Sequence, residues 1–480
     1  MQLNRTLRPA ISALSVTTRS WPTVAIMVGS DLLALGLAGV LSVYIRLFLD
    51  GKYHPMLYWQ LYPVLGLFIL AYATVGLYPG VALSPVDELR WISLASSLIY
   101  LALGSATFLR REGEVYSRGV FLIAWGLSII LVLLGRTLMR RLFASKRWWG
   151  YPVMVLGAGQ TGEMVIRTLK RRPGIGLKPV LVLDDDPAKH GTLYGVPVVG
   201  GVELAPALAR SRHIPYAIVA MPGVPRHRLL MLLDRYGHSF AHLLIIPDLF
   251  GFSSLWVAAK DMGGILGLEV RQQLLLPGPR LAKLLMDLTC TLIGGLLVLP
   301  LIVIIAVLIR FDSPGPVFYG QTRIGQNGKP FKAWKFRSMV RDADKKLHDY
   351  LQSHPELRES WEKEHKLRYD PRVTGIGRFL RRTSLDELPQ LWNILRGEMS
   401  LVGPRPIVDE EIWRYGEKFN LFTKVTPGLT GLWQVSGRNN ITYEDRVNLD
   451  AYYVQNWSVW LDVYILIRTV WVVISGEGAY

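Results

Sequence analysis

Residues 281–309 read LAKLLMDLTCTLIGGLLVLPLIVIIAVLI, and whether this stretch crosses a bilayer or turns back decides where everything after it lies. It is long enough to cross, since about 20 apolar residues cover a hydrocarbon core. Its flanks argue for return. Arg280 and Lys283 stand at the start, and Arg310, Arg323, Lys329, Lys332, Lys335 and Arg337 follow the end. Both ends thus carry the positive charge that stays on the inner side of a membrane. Pro300, in mid-run, removes a backbone donor and clashes with the preceding turn. The expectation is a bent, re-entrant helix broken at Pro300, with residues 276–480 kept on one side as a mainly α-helical domain. A later apolar run, 457–474, holds Asp462 and Arg468 between Trp460, Tyr464 and Trp471, a pattern suited to a helix lying in the interface.

Working outward, half of the 480 residues are hydrophobic and the mean hydropathy is +0.26, which excludes a disordered or fibrous chain. Four apolar stretches fill the first third, near 22–49, 56–78, 89–109 and 119–139, and predict a four-helix transmembrane domain over 1–145. The first is too long for a cleavable signal, so none is expected. Asp31 lies inside it; the bland reading, a paired carboxylate near the helix start, is preferred to a functional one. Arg5, Arg8, Arg19, Arg90, Arg140, Arg141, Lys146 and Arg147 outnumber Lys52, Arg110, Arg111 and Arg118 on the opposite side. That excess puts the N-terminus and the chain after residue 140 in the cytoplasm.

From residue 151 the pattern becomes short β-branched runs (153–156, 180–183, 217–220, 242–246) alternating with helical ones (161–171, 202–211, 225–236). This predicts a small parallel α/β domain, Rossmann-like, over 146–275. Its first turn is GAGQTG at 157–162. Gly157, Gly159 and Gly162, with Asp184 after the second strand, are candidate nucleotide contacts. The alternative is that the glycines only make the turn. An oxidoreductase of the short-chain type would need a Tyr-x-x-x-Lys pair, and no tyrosine here has lysine four residues on.

Lysine and arginine number 54 against 37 acids, so an anionic partner is expected: lipid headgroups or a phosphorylated substrate, not nucleic acid. The one cysteine, Cys290, excludes a disulfide framework and a multi-cysteine zinc site, and the nine histidines form no close ligand pair. The informative segment is RRTSLDELPQ at 381–390, preceded by Arg372 and Arg378. Ser384 and Glu387 could form a capping box, which taken alone is the better reading. Yet Asp386 and Glu387 stand in an arginine-rich field that should depress their pKa values. An ionised carboxylate can attack phosphorus, its neighbour can hold Mg2+, and arginines clamp the charge of a transferring phosphoryl group. Lys335 and Arg337, in KFRSM at 335–339, and Arg378, Arg381 and Arg382 are candidate anion contacts. So are Arg405 in SLVGPRP at 400–406 and Arg438 in PGLTGLWQVSGRNN at 427–440.

These motifs, with the terminal GAY at 478–480, resemble the bacterial polyprenyl-phosphate hexose-1-phosphate transferases, the monotopic phosphoglycosyl transferases that begin surface-polysaccharide synthesis; the likeness covers about 280–480. Four spans and an α/β domain before it are similar to the long form, of the undecaprenyl-phosphate galactose phosphotransferase type. The resemblance implies that Asp386 takes hexose-1-phosphate from a UDP-sugar, releasing UMP, and passes it to undecaprenyl phosphate. It also implies that Glu387 is associated with Mg2+, and that Lys335, Arg337, Arg405 and Arg438 touch phosphate or nucleotide. The family's helix breaks at Ser-Pro; here the pair is Leu299-Pro300. Galactose is the first expectation for the sugar and glucose the next, in a multi-pass protein of the bacterial inner membrane. The competing class is a nucleotide-sensing membrane scaffold, and the α/β domain is left open between regulation and pairing two copies as a homodimer.

Overall fold

The computed structural model describes residues 21–50, 55–109, 116–247, 257–261, 266–270, 273–354, 370–437 and 441–475. Two compact units divide the chain, 1–250 and 251–480.

The first unit opens with helices α1 (Trp21–Asp50), α2 (Val64–Thr74), α3 (Pro85–Leu109) and α4 (Arg118–Phe143). The second apolar stretch departs from expectation. It is a 3-10 segment, Pro55–Leu61, followed by the 11 residues of α2, so no single helix of span length forms there. Pro63 sits at the junction, where its missing N–H and fixed φ end one helix and start the next. Among the described residues four helices are long and apolar enough to cross a membrane: α1, α3, α4 and a later one, α8. Asp31 is fully buried against Arg136, with Nη2 to Oδ2 at 2.5 Å, and accepts from Tyr78 Oη at 2.6 Å. Arg136 also reaches Glu88 at 3.1 Å, and Glu88 binds Arg140 at 2.5 Å. The paired reading of Asp31 holds.

A six-stranded sheet follows, made of β1 (Tyr151–Leu156), β2 (Leu177–Leu183), β3 (Gly191–Leu193), β4 (Val196–Val198), β5 (Tyr216–Val219) and β6 (His242–Ile245), in the order β3-β4-β2-β1-β5-β6. All neighbours are parallel except β3 and β4. Strand alternation splits its core in two. Val153, Val155 and Val182 pack with Val165, Ile166 and Leu169 of α5 (Gln160–Arg171). Met154, Leu156 and Leu181 face Ala205 and Ala209 of α6 (Ala205–Arg212) and Leu229, Leu232 and Leu233 of α7 (Arg226–Tyr236). The expected parallel α/β domain is thus present.

The second unit begins with the hairpin β7 (Val257–Asp261) and β8 (Leu266–Val270), then α8 (Pro277–Asp312), 36 residues that stay helical through Pro300. At 1.5 Å per residue α8 is about 54 Å of helix. Its ends are held and its middle is bare. Lys283, Asp287 and Thr291 are buried, as are Ile305 and Ile309, whereas Leu292, Ile293, Leu296, Leu297 and Leu299 between them are exposed. After it come the antiparallel pair β9 (Phe318–Ile324) and β10 (Pro330–Phe336), α9 (Ala343–Ser353), α10 (Gly375–Thr383), α11 (Gln390–Leu395), and the parallel pair β11 (Ser400–Val402) and β12 (Gly428–Thr430). The helices α12 (Tyr443–Asn456) and α13 (Val459–Ser475) complete the unit. Asp462 of α13 is fully buried, not turned to a polar interface: it binds Lys283 at 2.8 Å and accepts from Tyr453 Oη and Trp457 Nε1. Asp287 accepts from Ser400 Oγ at 2.7 Å and from Leu401 N at 3.2 Å. These bonds tie the first half of α8 to β11, α12 and α13.

Candidate active site

The acid pair is positioned by a helix that starts and stops at defined residues. Thr374 Oγ1 caps α10 by accepting from Gly377 N at 2.9 Å. Glycine at 377 lets the helix lie on β10's continuation, because a Cβ there would stand 2.0 Å from Ser338 O. α10 ends at Ser384, whose φ of +58° is left-handed and unusual for a residue with a side chain. The chain then makes a 3-10 turn, Leu385–Glu387, before α11. The expected capping box is absent, since the Ser384 side chain makes no cap bond. Left-handed backbone makes Ser384 the end of one helix, not the start of the next. Leu385 and Leu388 pack with Phe336, Leu380, Ile305 and Ile309, so the acids between them are anchored on the second half of α8.

Lys335, on β10, meets both carboxylates: its Nζ is 2.6 Å from Glu387 Oε1 and 4.0 Å from Asp386 Oδ2. The sequence suggests depressed pKa values for both acids, and the structure separates them. Burial raises the Asp386 carboxyl above its ordinary value, with Glu387 pushing the same way and Lys335 and Arg381 opposing. Burial also acts on Glu387, but Lys335, Arg405 and Arg323 outweigh it and hold that carboxyl below its ordinary value. Adjacent acids driven apart in this way can serve different roles. Glu387 stays an anion, while Asp386 keeps a more basic oxygen.

The candidate cations separate as well. Arg381 donates from Nε to Ser338 Oγ at 2.9 Å and its charge acts on Asp386. Arg378 and Arg382 are exposed on α10. Arg337 is buried, with its Nη atoms on Ser313 O, Ser313 Oγ and Pro314 O at 2.6, 2.8 and 3.0 Å, closing the turn after α8. Arg405 sits between two prolines on a turn gripped by β12: Gly403 N donates to Thr430 O at 2.9 Å and Gly428 N to Pro404 O at 2.8 Å. Its guanidinium lies 5.6 Å from the Trp433 ring centroid. Arg438 lies outside the described residues. Two arginines that the motifs did not single out adjoin this group: Arg323, which acts on Glu387, and Arg446, 4.1 Å from the Trp433 ring. The signal for Arg446 was its place one helical turn after Tyr443, whose ring it also faces at 5.1 Å.

In the α/β unit, Gly157, Gly159, Gly162 and Asp184 come together at one end of the sheet. Gly157 has φ +107°, and a Cβ there would stand 2.5 Å from Met221 Cγ; one on Gly162 would stand 2.0 Å from Gly157 O. These two serve the turn, whereas Gly159 faces open space. Asp184 accepts from Ala158 N at 2.7 Å and from Asp186 N at 2.9 Å. Those bonds and Lys189 hold its carboxyl below the ordinary value despite burial.

The family described as bacterial sugar transferase matches residues 278–476, and that described as CoA-binding domain matches 75–247. The UDP-galactose-lipid carrier transferase of Erwinia amylovora is 37% identical over 76% of this chain and 76% of its own length. The undecaprenyl-phosphate galactose phosphotransferase of Salmonella typhimurium is 35% identical over 76% and 77%, and the UDP-glucose:undecaprenyl-phosphate glucose-1-phosphate transferase of Escherichia coli is 34% identical over 68% of each. With a family match over 278–476 and relatives of this closeness along most of its length, the chain belongs to the bacterial sugar transferases, membrane enzymes of the undecaprenyl-phosphate sugar phosphotransferase type.

Proposed function

We propose that this enzyme moves hexose-1-phosphate from a UDP-hexose to undecaprenyl phosphate, opening O-antigen, capsule or exopolysaccharide synthesis. The observation that carries this is the split pair, Asp386 shielded and Glu387 held ionised by Lys335. An Asp386 oxygen attacks the β-phosphorus, the bond from that phosphorus to the bridging oxygen breaks, and UMP leaves. An oxygen of the lipid phosphate then attacks the same phosphorus, the Asp386 ester bond breaks, and a polyprenyl-diphosphate sugar is released. Lys335 and Arg381 favour the ionised form of Asp386 and stabilise charge on the transferring group. Galactose is the first choice of sugar, supported by the names of two relatives 37% and 35% identical to the chain, with glucose, named for relatives 34% and 31% identical, the alternative.

Mg2+ fits the donor set. Asp386 and Glu387 offer carboxylate oxygens alone, and no cluster of three His, Cys, Asp or Glu occurs among the described residues. A cation that takes one or two carboxylates plus substrate phosphates suits that arrangement. Glu387 would hold it, and when bound it neutralises diphosphate charge.

The re-entrant reading of α8 is supported by its packing, since residues on both sides of the exposed middle, 283–291 and 305–309, are buried within one unit, although the helix continues through Pro300. The cationic flanks support the cytoplasm as that side. On this reading the chain has three working parts, spans over 1–145, an α/β domain over 146–275 and the transferase over 276–480. Membranes given UDP-hexose and undecaprenyl phosphate should release UMP and transiently carry phosphate on the protein. Asp386→Asn should abolish both; full turnover in that variant would remove Asp386 from the reaction.

A further inference from the structure

Arg323 and Arg405, whose charges act on Glu387 of the acid pair, belong to a group of arginines with too little negative charge to match it. The turn Leu432–Val435 packs directly on the Arg405 turn, since a Cβ on Gly431 would stand 2.5 Å from Gly403 O. Trp433 of that turn is 3% exposed and is shared by two guanidinium groups, Arg446 at 4.1 Å and Arg405 at 5.6 Å. Arg323 joins from β9, because Ile324 N donates to Ile407 O at 2.9 Å and so draws the end of that strand to the chain just after Arg405.

The acids near these three arginines are committed or weakened. Glu387 is paired with Lys335, and Glu411 is the other carboxylate that acts on Arg323 and Arg446. Burial pushes the Asp450 carboxyl up to about 7, so it is only partly charged at neutral pH. Burial and then Arg405 depress both Arg323 and Arg446. Arg446 Nε is buried and has no hydrogen-bond partner among the described residues. Cations held together against their own repulsion, with a donor left over, fit a polyanion that binds between them.

We propose that Arg323, Arg405 and Arg446 form a diphosphate grip for the nucleotide half of the sugar nucleotide, with Arg446 held in place by Trp433, and that Lys335 is left to serve the phosphate under attack. The inference rests on the UDP-sugar reading above and names the residues that would hold the leaving UMP. Planar guanidinium groups suit this task, since each can meet two phosphate oxygens at once. A uridine phosphate and the lipid phosphate share the chemistry of an anionic phosphoryl group. Arg405 and Arg323 act on Glu387 whereas Arg381 acts on Asp386, the proposed attacking group, and this division favours the nucleotide for the first set.

The test uses the full chain in detergent or nanodiscs. UMP binding is measured at equilibrium, and KM is measured separately for UDP-hexose and for a short polyprenyl phosphate. Losing one charge-assisted contact corresponds to about tenfold in affinity. Arg446→Gln should therefore weaken UMP and raise the KM for UDP-hexose by about that factor, with the KM for the lipid within about twofold; Arg446→Lys should fall between. Arg323→Gln should behave like Arg446→Gln, and serves in its place if the latter unfolds at a lower temperature than the wild type. Unchanged UMP affinity in both glutamine variants overturns the proposal. So does a rise confined to the KM for the lipid, or inorganic phosphate competing as well as UMP. Because UMP binding needs no turnover, its dependence on Arg446 can hold or fail whether or not Asp386 forms an ester.

Discussion

Asp386 and Glu387 are neighbours in the chain and opposites in their titration, and the difference has a sign that kinetics can read. If Asp386 attacks as proposed, its raised pKa means the carboxylate forms only as pH climbs past the ordinary aspartate range, about 3.9. Single-turnover UMP release should therefore show an acid limb above that value. Lys335 pulls the Asp386 pKa down, so Lys335→Met should move the limb to higher pH as well as slow the step. A limb that stays put would disconnect Lys335 from Asp386. Asp450 offers a second reading, in stability. Its carboxyl is raised by burial to about 7, against the opposing hydrogen bond from Tyr415 and the charges of Arg446 and Arg405. Between about pH 4 and 7 the folded chain therefore binds a proton that the unfolded chain does not, and stability from this group falls as pH rises. Asp450→Asn keeps an acceptor for Tyr415 and removes the titration. Its melting temperature relative to wild type should increase from pH 5 to pH 8; a constant difference would mean that Asp450 is ionised throughout.

At the scale of elements, the acid turn is set by two backbone demands, a left-handed residue at 384 and a close approach at 377. Ser384 bears a left-handed φ at a cost of about 1 kcal/mol, so Ser384→Gly should be neutral or stabilising by less than about 1 kcal/mol and keep activity. Ser384→Val should destabilise and, by displacing the turn, lower kcat. Gly377→Ala places a methyl against the Ser338 carbonyl and should cost about 1–3 kcal/mol in thermal or denaturant unfolding. Equal stability of the glycine and valine variants at 384 would remove strain from the account. The strands of the α/β unit were legible because alternation and a glycine turn are local signals. The acid turn was not, since Ser-x-x-Glu fits a helix start equally well and the left-handed residue is chosen by packing of Leu385 and Leu388 on α8. The second apolar stretch misled for a related reason: composition reports burial in apolar surroundings, not unbroken helix, and Pro63 divides it. Arg446 escaped notice because its partner Trp433 is close only in three dimensions.

At the scale of the molecule, the claim with the widest reach is that α8 enters the bilayer and leaves by the same face. Charge at both flanks was visible in the sequence, while the buried Lys283, Asp287 and Asp462 network that fastens the first half of α8 was not, since Lys283 and Asp462 lie 179 residues apart. Cys290 is the one cysteine of the chain, which makes the topology accessible to thiol labelling. In a Cys290→Ser background, single cysteines replace Gly278, where a Cβ meets nothing within 4 Å, Leu297, 78% exposed in the apolar middle, and Phe311, 85% exposed at the far end. A membrane-impermeant maleimide added to intact cells should label none of the three. After the membrane is opened it should label 278 and 311 together, while 297 stays unreacted inside the hydrocarbon. Labelling at 278 or 311 from outside in intact cells would make α8 a crossing helix. The unit that buries both of its ends would then have to straddle the bilayer, at a desolvation cost that its polar loops and ion pairs could not offset.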